Sequence, residues 1–191
     1  MGTGASVPAV NSNFTMFTDA DSLFFPTQGL SLAFIDEFLE ACGGRHRLEG
    51  LTTRGVIDRF IKPITSKSQS SYCEMLNQSS HPAVGIAKVF ACHSWSYLFL
   101  DTVDALLYHF RHDLSTIVWL DIFSINQHKQ LEIDFDWLSN TLQTAICRFE
   151  SFVVVLTPWN DAAIFTRLWC LYELYCSAIA CKPCEIAMKA R

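Results

Sequence analysis

The feature that most constrains the fold is a change in hydropathy pattern after Pro82. From this point short apolar runs alternate with amphipathic segments, an alternation typical of βαβ units on a parallel sheet. The predicted strands span residues 85–92, 115–123, 151–157 and 184–188, and the helices between them span residues 97–111 and 134–148. The sequence therefore predicts an α/β domain over residues 81–191.

The first 80 residues follow a different pattern. Residues 1–30 mix Gly, Pro, Ser, Thr and Asn with scattered Phe, which predicts an extended arm that docks through its aromatic side chains. Apolar periodicity then predicts one helix from Ser31 to the Gly43-Gly44 pair and another from Thr53 to Ile61. We expect residues 31–80 to form a small helical subdomain and a Ser/Gln-rich linker, with a domain boundary near residue 80.

Composition weighs against several classes of protein. Half of the 191 residues are hydrophobic, with 15 Phe and 5 Trp, which is enough for one full-sized core. The 14 Lys and Arg are outnumbered by 19 Asp and Glu and form no basic run, so we expect no nucleic-acid partner. No apolar stretch reaches the roughly 20 residues of a membrane span. We expect a cytoplasmic protein, peripheral to a membrane only if Gly2, within a myristoylation-like Met1–Ser6 pattern, is acylated.

The eight cysteines lie mostly in apolar segments without the spacing of a disulfide framework, which favours reduced, structural thiols. Cys181 and Cys184 form a lone C-x-x-C pair, for which a redox role is the alternative. We predict no metal site, because the six histidines are scattered. A Cys92-His93 nucleophile and base is disfavoured, since adjacent side chains at a strand end point in opposite directions.

Ligands of an open α/β sheet bind beyond the carboxyl ends of its strands. Residues 92–95, 121–127 and 157–160 follow three predicted strands and are polar and aromatic. One interpretation of the segment from His93 to Trp95 is that its side chains line a nucleotide site. The alternative is that Ser94 is a helix N-cap and Trp95 is a core residue. Asp121 fits either a ligand contact or a loop cap. The absence of a G-x-G-x-x-G loop argues against a dehydrogenase-type cofactor.

The segment after the third predicted strand reads as one more helix. Its periodicity predicts a core face of large apolar side chains, namely Leu168, Leu171, Tyr172, Tyr175 and Ile179. Trp169 and Glu173, four residues apart, are predicted to project together on an adjacent stripe. The alternative for Glu173 is a half-exposed carboxylate paired with Arg167 or Lys182.

Two motifs carry a resemblance to a known family. The segment from Trp169 to Leu174 (WCLYEL) resembles the W-C-x-x-E-L motif of TIR domains. Residues 119–127 are similar to the W-x-D-x-x-x-I-N-Q signature of fungal heterokaryon-incompatibility domains, distant TIR relatives, and residues 93–95 are similar to their S-[HY]-x-W motif. The resemblance covers about residues 84–190 and implies a flavodoxin-like, three-layer parallel sheet. A TIR domain has five strands and four are predicted here, so either the chain is cut inside the fold or the preceding helices complete the core.

The resemblance implies an NAD⁺ nucleosidase of immune or cell-death-type signalling, with NAD⁺ as substrate and no separate cofactor. Glu173 would be the catalytic carboxylate. The residues implied to bind substrate are Trp169, His93, Ser94, Trp95, Asp121 and Asn126. The alternative is a non-catalytic self-association or adaptor module. In either case the resemblance implies a homo-oligomer, assembled through residues 123–133.

Overall fold

The computed structural model describes residues 25–129, 135–160 and 162–190. The strands are β1 Gln28–Ser31, β2 Val84–Ile86, β3 Val89–Cys92, β4 Ile117–Trp119, β5 Ser151–Val155 and β6 Cys184–Ala187. The helices are α1 Leu32–Ala41, α2 Thr53–Val56, α3 Lys62–Ile64, α4 Tyr72–Gln78, α5 Phe99–His109, α6 Asp121–Ser124, α7 Phe135–Ile146 and α8 Leu168–Ile179. A π-helical turn at Ile57–Ile61 joins α2 to α3, and 3₁₀ turns lie at Arg45–Arg47 and Ala163–Thr166.

The six strands form one mixed sheet in the order β2-β1-β4-β3-β5-β6. Strands β3 to β6 are parallel, whereas β1 pairs antiparallel with both β2 and β4. Numbered along the chain, the four parallel strands lie in the order 2-1-3-4, which is compatible with a flavodoxin-like fold. The predicted α/β class is therefore confirmed, with an antiparallel pair of strands in addition.

Two of the predicted strands differ substantially from the observed strands. Residues 85–92 form two strands because the chain changes partners at Ala87 and Lys88, whose amides donate to the carbonyls of Thr27 and Ile117. Strand β4 ends at Trp119, since the residues from Asp121 onward close a helical turn. The other two predicted strands are present as β5 and β6, which end two residues and one residue earlier than predicted.

The N-terminal segment joins the same sheet. Strand β1 lies between β2 and β4, and a Cβ atom on Gly29 would collide with the carbonyl oxygen of Val118. Phe25 stacks on Trp119, whose indole donates to the Pro26 carbonyl at 2.6 Å. The rest of the predicted arm lies outside the described residues. The boundary near residue 80 stays a prediction, but described segments on both sides of it share one sheet and one core.

Both faces of the sheet are buried, which gives three layers. One face packs against α1 and α5 through strand side chains such as Val89, Val118 and Val153. The opposite face packs against α7 and α8 through side chains such as Phe90 and Phe152. Such burial on both faces explains why the parallel strands read as short, nearly continuous apolar runs.

The predicted orientation of α8 is wrong. Its buried residues are Cys170, Glu173, Cys176 and Ser177. The exposed ones include four members of the predicted core face, Leu168, Leu171, Tyr175 and Ile179. The Sγ atom of Cys170 lies 3.5 Å from the His93 carbonyl oxygen, so this helix approaches a strand end closely. Such an approach leaves room for small or polar side chains at the contact, but not for the large apolar side chains of the predicted face.

Among the described helices, none combines the length and apolar character that crossing a membrane requires.

Candidate functional site

The motif residues meet at the carboxyl ends of β3 and β5. After β3 the chain enters α5, which packs on one face of the sheet, and after β5 it enters α8, which packs on the other. The two connections therefore leave neighbouring strands on opposite sides. Such a switch point is where open α/β sheets leave a crevice for ligands.

Glu173 occupies the interior at this point. Its side chain is on the buried face of α8 and the residue is only 4 % exposed. Burial, with the nearby Cys170 sulfur and the Asp121 carboxylate, raises the pKa of Glu173 well above its ordinary value, although hydrogen bonds with Cys92 and Trp169 oppose the shift. The predicted alternative, a half-exposed carboxylate paired with Arg167 or Lys182, is not found among the salt bridges of the described chain.

Two cysteines lie against this carboxylate. The sulfurs of Cys92 and Cys170 and a carboxylate oxygen of Glu173 all lie within 4.8 Å of one another, and all three residues are buried. Burial raises the pKa of the Cys92 thiol well above its usual range. A hydrogen bond from Cys92 lowers the pKa of the Cys170 thiol. We refer to Cys92, Cys170 and Glu173 as the thiol–carboxylate cluster.

The Asp121 side chain connects the segment after β4 with the segment after β3. Its Oδ2 accepts a 2.6 Å hydrogen bond from the indole Nε1 of Trp95. Its Oδ1 lies 3.7 Å from Nε2 of His93, and neither atom has a hydrogen-bond partner within the described structure. Two neighbouring buried polar atoms without partners are unusual in a folded protein and favour a ligand or water there. The Asp121 side chain thus bonds to the Trp95 indole and does not act as a simple loop cap. The ligand contact of Asp121 stays a prediction.

The other predicted site residues are placed as follows. Trp169 and Glu173 project together, as their spacing predicts, and their side chains are hydrogen-bonded. Ser94 is buried, and its hydroxyl lies 2.7 Å from that of Ser96. Ser94 is not the N-cap of α5, because that position is Leu98. The roles assigned to these residues in substrate binding stay predictions.

Asn126 lies in a different place. Its side-chain amide donates to the Gln69 carbonyl at 2.7 Å, and its Oδ1 accepts from the backbone amide of His128. It lines a surface cavity of about 470 Å³ with Gln69 and Lys129, and that lining includes no residue of the thiol–carboxylate cluster. The structure therefore separates Asn126 from the other predicted site residues.

Sequence reasoning missed three contributors to the site. The cysteine spacing favours structural thiols, although Cys170 is part of the W-C-x-x-E-L motif and Cys92 directly precedes His93 of the second motif. Gln127 is 3 % exposed and donates to the Asp121 carbonyl at 2.8 Å. It holds the turn that carries Asp121, so the Asn-Gln end of the motif serves the loop backbone.

Comparison with known proteins identifies no relative: no protein-family model, curated protein or solved structure matches this chain.

Proposed function

We propose that this protein is a TIR-like NAD⁺ nucleosidase in which Glu173 is the catalytic carboxylate. The observation that carries the proposal is a buried carboxylate with a raised pKa at the switch point of the sheet, without a basic ion-pair partner in the described chain. Strongly perturbed ionisable groups in such positions are candidates for functional sites. The motif resemblance from Trp169 to Leu174 supplies the reaction.

Cleavage of the nicotinamide–ribose bond suits a site that contains the carboxylates of Glu173 and Asp121. The bond from the ribose C1′ to the nicotinamide nitrogen breaks, and neutral nicotinamide leaves with the bonding electron pair. The ribose then carries positive charge, which Glu173 stabilises in its ionised form. Water adds to C1′ and its proton passes to the carboxylate or to solvent, so that the products are nicotinamide, ADP-ribose and one proton.

The raised pKa suits this sequence of events. Burial favours the protonated form of Glu173, because it penalises the charged form. A cationic nicotinamide ring placed beside it favours ionisation, since an opposite charge within a few ångströms lowers a carboxyl pKa. Substrate binding therefore shifts Glu173 toward the ionised form that stabilises positive charge on the ribose.

Access requires movement around Glu173, because the residue is nearly enclosed. Trp169 is half-buried and hydrogen-bonded to the carboxylate. We propose that the Trp169 side chain rotates to admit the nicotinamide riboside part of the substrate. The nicotinamide ring then packs against the indole. Trp95 has a different task, since its indole N–H is already bonded to Asp121 and orients that second carboxylate.

A second candidate function is non-catalytic self-association, in signalling of the same type. One observation favours it: the outer face of α8 exposes Leu168, Leu171, Tyr175 and Ile179. In addition, β6 is an edge strand of the described sheet. Apolar patches and open sheet edges of this kind are sites of association.

Assembly through residues 123–133 also stays a prediction. Its described part, residues 123–129, includes the buried Phe123 and Gln127, and residues 130–133 lie outside the described structure.

The test is nicotinamide release from NAD⁺ by concentrated protein, comparing wild type with Glu173→Gln. Glutamine has nearly the shape of the protonated acid, so we expect the fold to persist and turnover to fall at least about a hundredfold. Glu37→Gln, at an exposed glutamate of helix α1, is the matched control and should retain full activity. Equal release by Glu173→Gln and wild type, or no release by folded wild type, would overturn the proposal and favour the self-association candidate.

A further inference from the structure

Three metal-ligating groups converge inside the protein at the end of β3. The two sulfurs and the carboxylate oxygen of the thiol–carboxylate cluster lie within 4.8 Å of one another. In a tetrahedral zinc site with bonds near 2.3 Å, neighbouring ligand atoms lie roughly 3.8 Å apart, so small side-chain rotations suffice to close the set. We propose that Cys92, Cys170 and Glu173 form a binding site for Zn²⁺.

The charge balance of this region supports a cation. Asp121 acts electrostatically on both Cys170 and Glu173, and Arg167 acts on Cys170. No salt bridge of the described chain joins a Lys or Arg to any of these groups. Burying several acidic groups with so little counter-charge is costly. A divalent ion supplies further counter-charge and lets the thiols and the carboxyl ionise in place.

A second, independent observation comes from the neighbouring atoms without partners. Oδ1 of Asp121 and Nε2 of His93 are buried and lack hydrogen-bond partners within the described chain. Three protein ligands leave the fourth zinc position to water, as in catalytic zinc sites. The Asp121 oxygen can accept a hydrogen bond from such a water, and so can the His93 nitrogen when the imidazole proton is on Nδ1. Outer partners of this type are a regular part of zinc sites.

The donor set selects the metal. Two thiolates favour zinc over magnesium or calcium, which prefer shells of oxygen atoms. Binding involves no electron transfer: Zn²⁺ replaces the protons of the two thiols and of the carboxyl, and these pass to solvent. Up to three protons are released per ion at a pH where all three groups are protonated, and affinity therefore rises with pH.

The site has a competitor elsewhere in the chain. Cys181 and Cys184 are exposed and are spaced as a C-x-x-C pair, which also binds zinc in many proteins. In the described chain no further His, Cys or acidic residue completes a cluster with this pair. We therefore assign the tight site to the buried cluster.

Zinc binding has a consequence that rests on the proposed nucleosidase. An ion held by the Glu173 carboxylate removes that group from the ribose, so zinc and NAD⁺ exclude each other. Zinc binding itself does not depend on turnover of NAD⁺, and it is tested by the affinity of the chain for Zn²⁺ alone.

The experiment is a zinc titration of the reduced, metal-free full chain against a chromophoric chelator, without NAD⁺. We expect one tight site per chain in the wild type. Cys92→Ser and Cys170→Ser should each weaken binding more than about a hundredfold, because each removes one of three ligands. Cys42→Ser, at a buried cysteine outside the cluster, and the double variant Cys181→Ser/Cys184→Ser should bind as wild type does.

The serine variants of the cluster could lose binding because they fold poorly. Cobalt binding is therefore also measured in proteins whose cluster residues are unchanged. Thiolate-to-cobalt charge-transfer absorption, retained in Cys181→Ser/Cys184→Ser, supports the buried site without requiring any change to its ligands. The proposal is overturned if the wild type binds no stoichiometric zinc. It is equally overturned if Cys181→Ser/Cys184→Ser abolishes binding while Cys92→Ser and Cys170→Ser retain it.

Discussion

At the scale of single residues, Glu173 is set apart by its surroundings more than by its position on a helix. Most helix glutamates are solvated and paired with a base. This one lies between two sulfurs and an indole, with a second carboxylate close by. An acid in such a place is retained at a cost to stability, and the cost depends on pH.

The sign of that dependence follows from the raised pKa. The folded protein holds the Glu173 proton more tightly than the unfolded chain, whose carboxyl titrates near 4.5. The tighter binding of this proton contributes to the free energy of unfolding. That contribution is fully present below pH 4.5 and is lost as pH rises toward the pKa of the folded state. Each pH unit inside this window changes the free energy of unfolding by at most about 1.4 kcal/mol.

We predict that Glu173→Gln gains thermal stability relative to wild type as pH rises, since glutamine does not titrate. In a chain of this size 1 kcal/mol corresponds to roughly 2–4 °C. The measurement is the difference in melting temperature between variant and wild type from pH 5 to pH 8, with chelator present. Glu37→Gln should give a difference independent of pH. A flat difference for Glu173→Gln as well would show that Glu173 ionises normally.

A second residue-scale prediction concerns the Trp95 indole. Trp95→Phe keeps most of the apolar ring but removes the 2.6 Å hydrogen bond to Asp121. Losing a bond to a mostly buried carboxylate costs about 1–3 kcal/mol, which denaturant unfolding measures. In the variant Asp121→Asn, where the acceptor is neutral, the further loss on adding Trp95→Phe should be smaller. Equal costs in both backgrounds would mean that the indole acts through packing alone.

At the scale of elements, α8 shows where pattern reasoning fails. Hydrophobic periodicity correctly predicts that residues 168–179 are helical, but it selects the larger apolar stripe as the buried one. The close approach to the end of β3 reverses the choice, because only small or polar side chains fit against the backbone there. Leu168 and Tyr175 are left 74 % and 58 % exposed.

The exposed face of α8 carries a prediction about assembly. If the apolar face drives self-association, Leu171→Glu/Tyr175→Glu should shift the protein toward monomer in sedimentation equilibrium. Its folded stability should change little, since both side chains already face solvent. Ile64→Glu/Tyr108→Glu, at similarly exposed apolar residues elsewhere, is the control. A wild type that stays monomeric, or equal dissociation in the control, would remove this face as an interface.

At the scale of the whole molecule, the parallel part of the sheet is predictable from sequence and the antiparallel part is not. Strands β3, β4 and β5 are buried on both faces, so their apolar runs stand out. Strand β1 is four residues long and contains Gly29, and β2 has only three residues. Neither shows a period. Their positions depend on pairing between residues more than 50 apart in the chain, which no local pattern records.

The candidate site follows the same division. Its location beyond the strand ends could be predicted, because the βαβ order brings those ends together. Its composition could not, since the meeting of Cys92 with Cys170 depends on the height at which α8 crosses β3. The placement of Asn126 near Gln69 likewise follows from how the turn after α6 packs against the segment after α3.

The most direct test of the central claim is an NAD⁺ titration of Glu173→Gln, followed through the indole N–H signals of its five tryptophans by NMR. This variant should bind substrate without consuming it. We predict that the Trp95 and Trp169 signals shift together and saturate, whereas Trp119, whose indole is bonded to Pro26, stays in place. If NAD⁺ leaves Trp95 and Trp169 unmoved, or moves only tryptophans away from Glu173, this cluster is not the substrate site and the proposed nucleosidase is wrong.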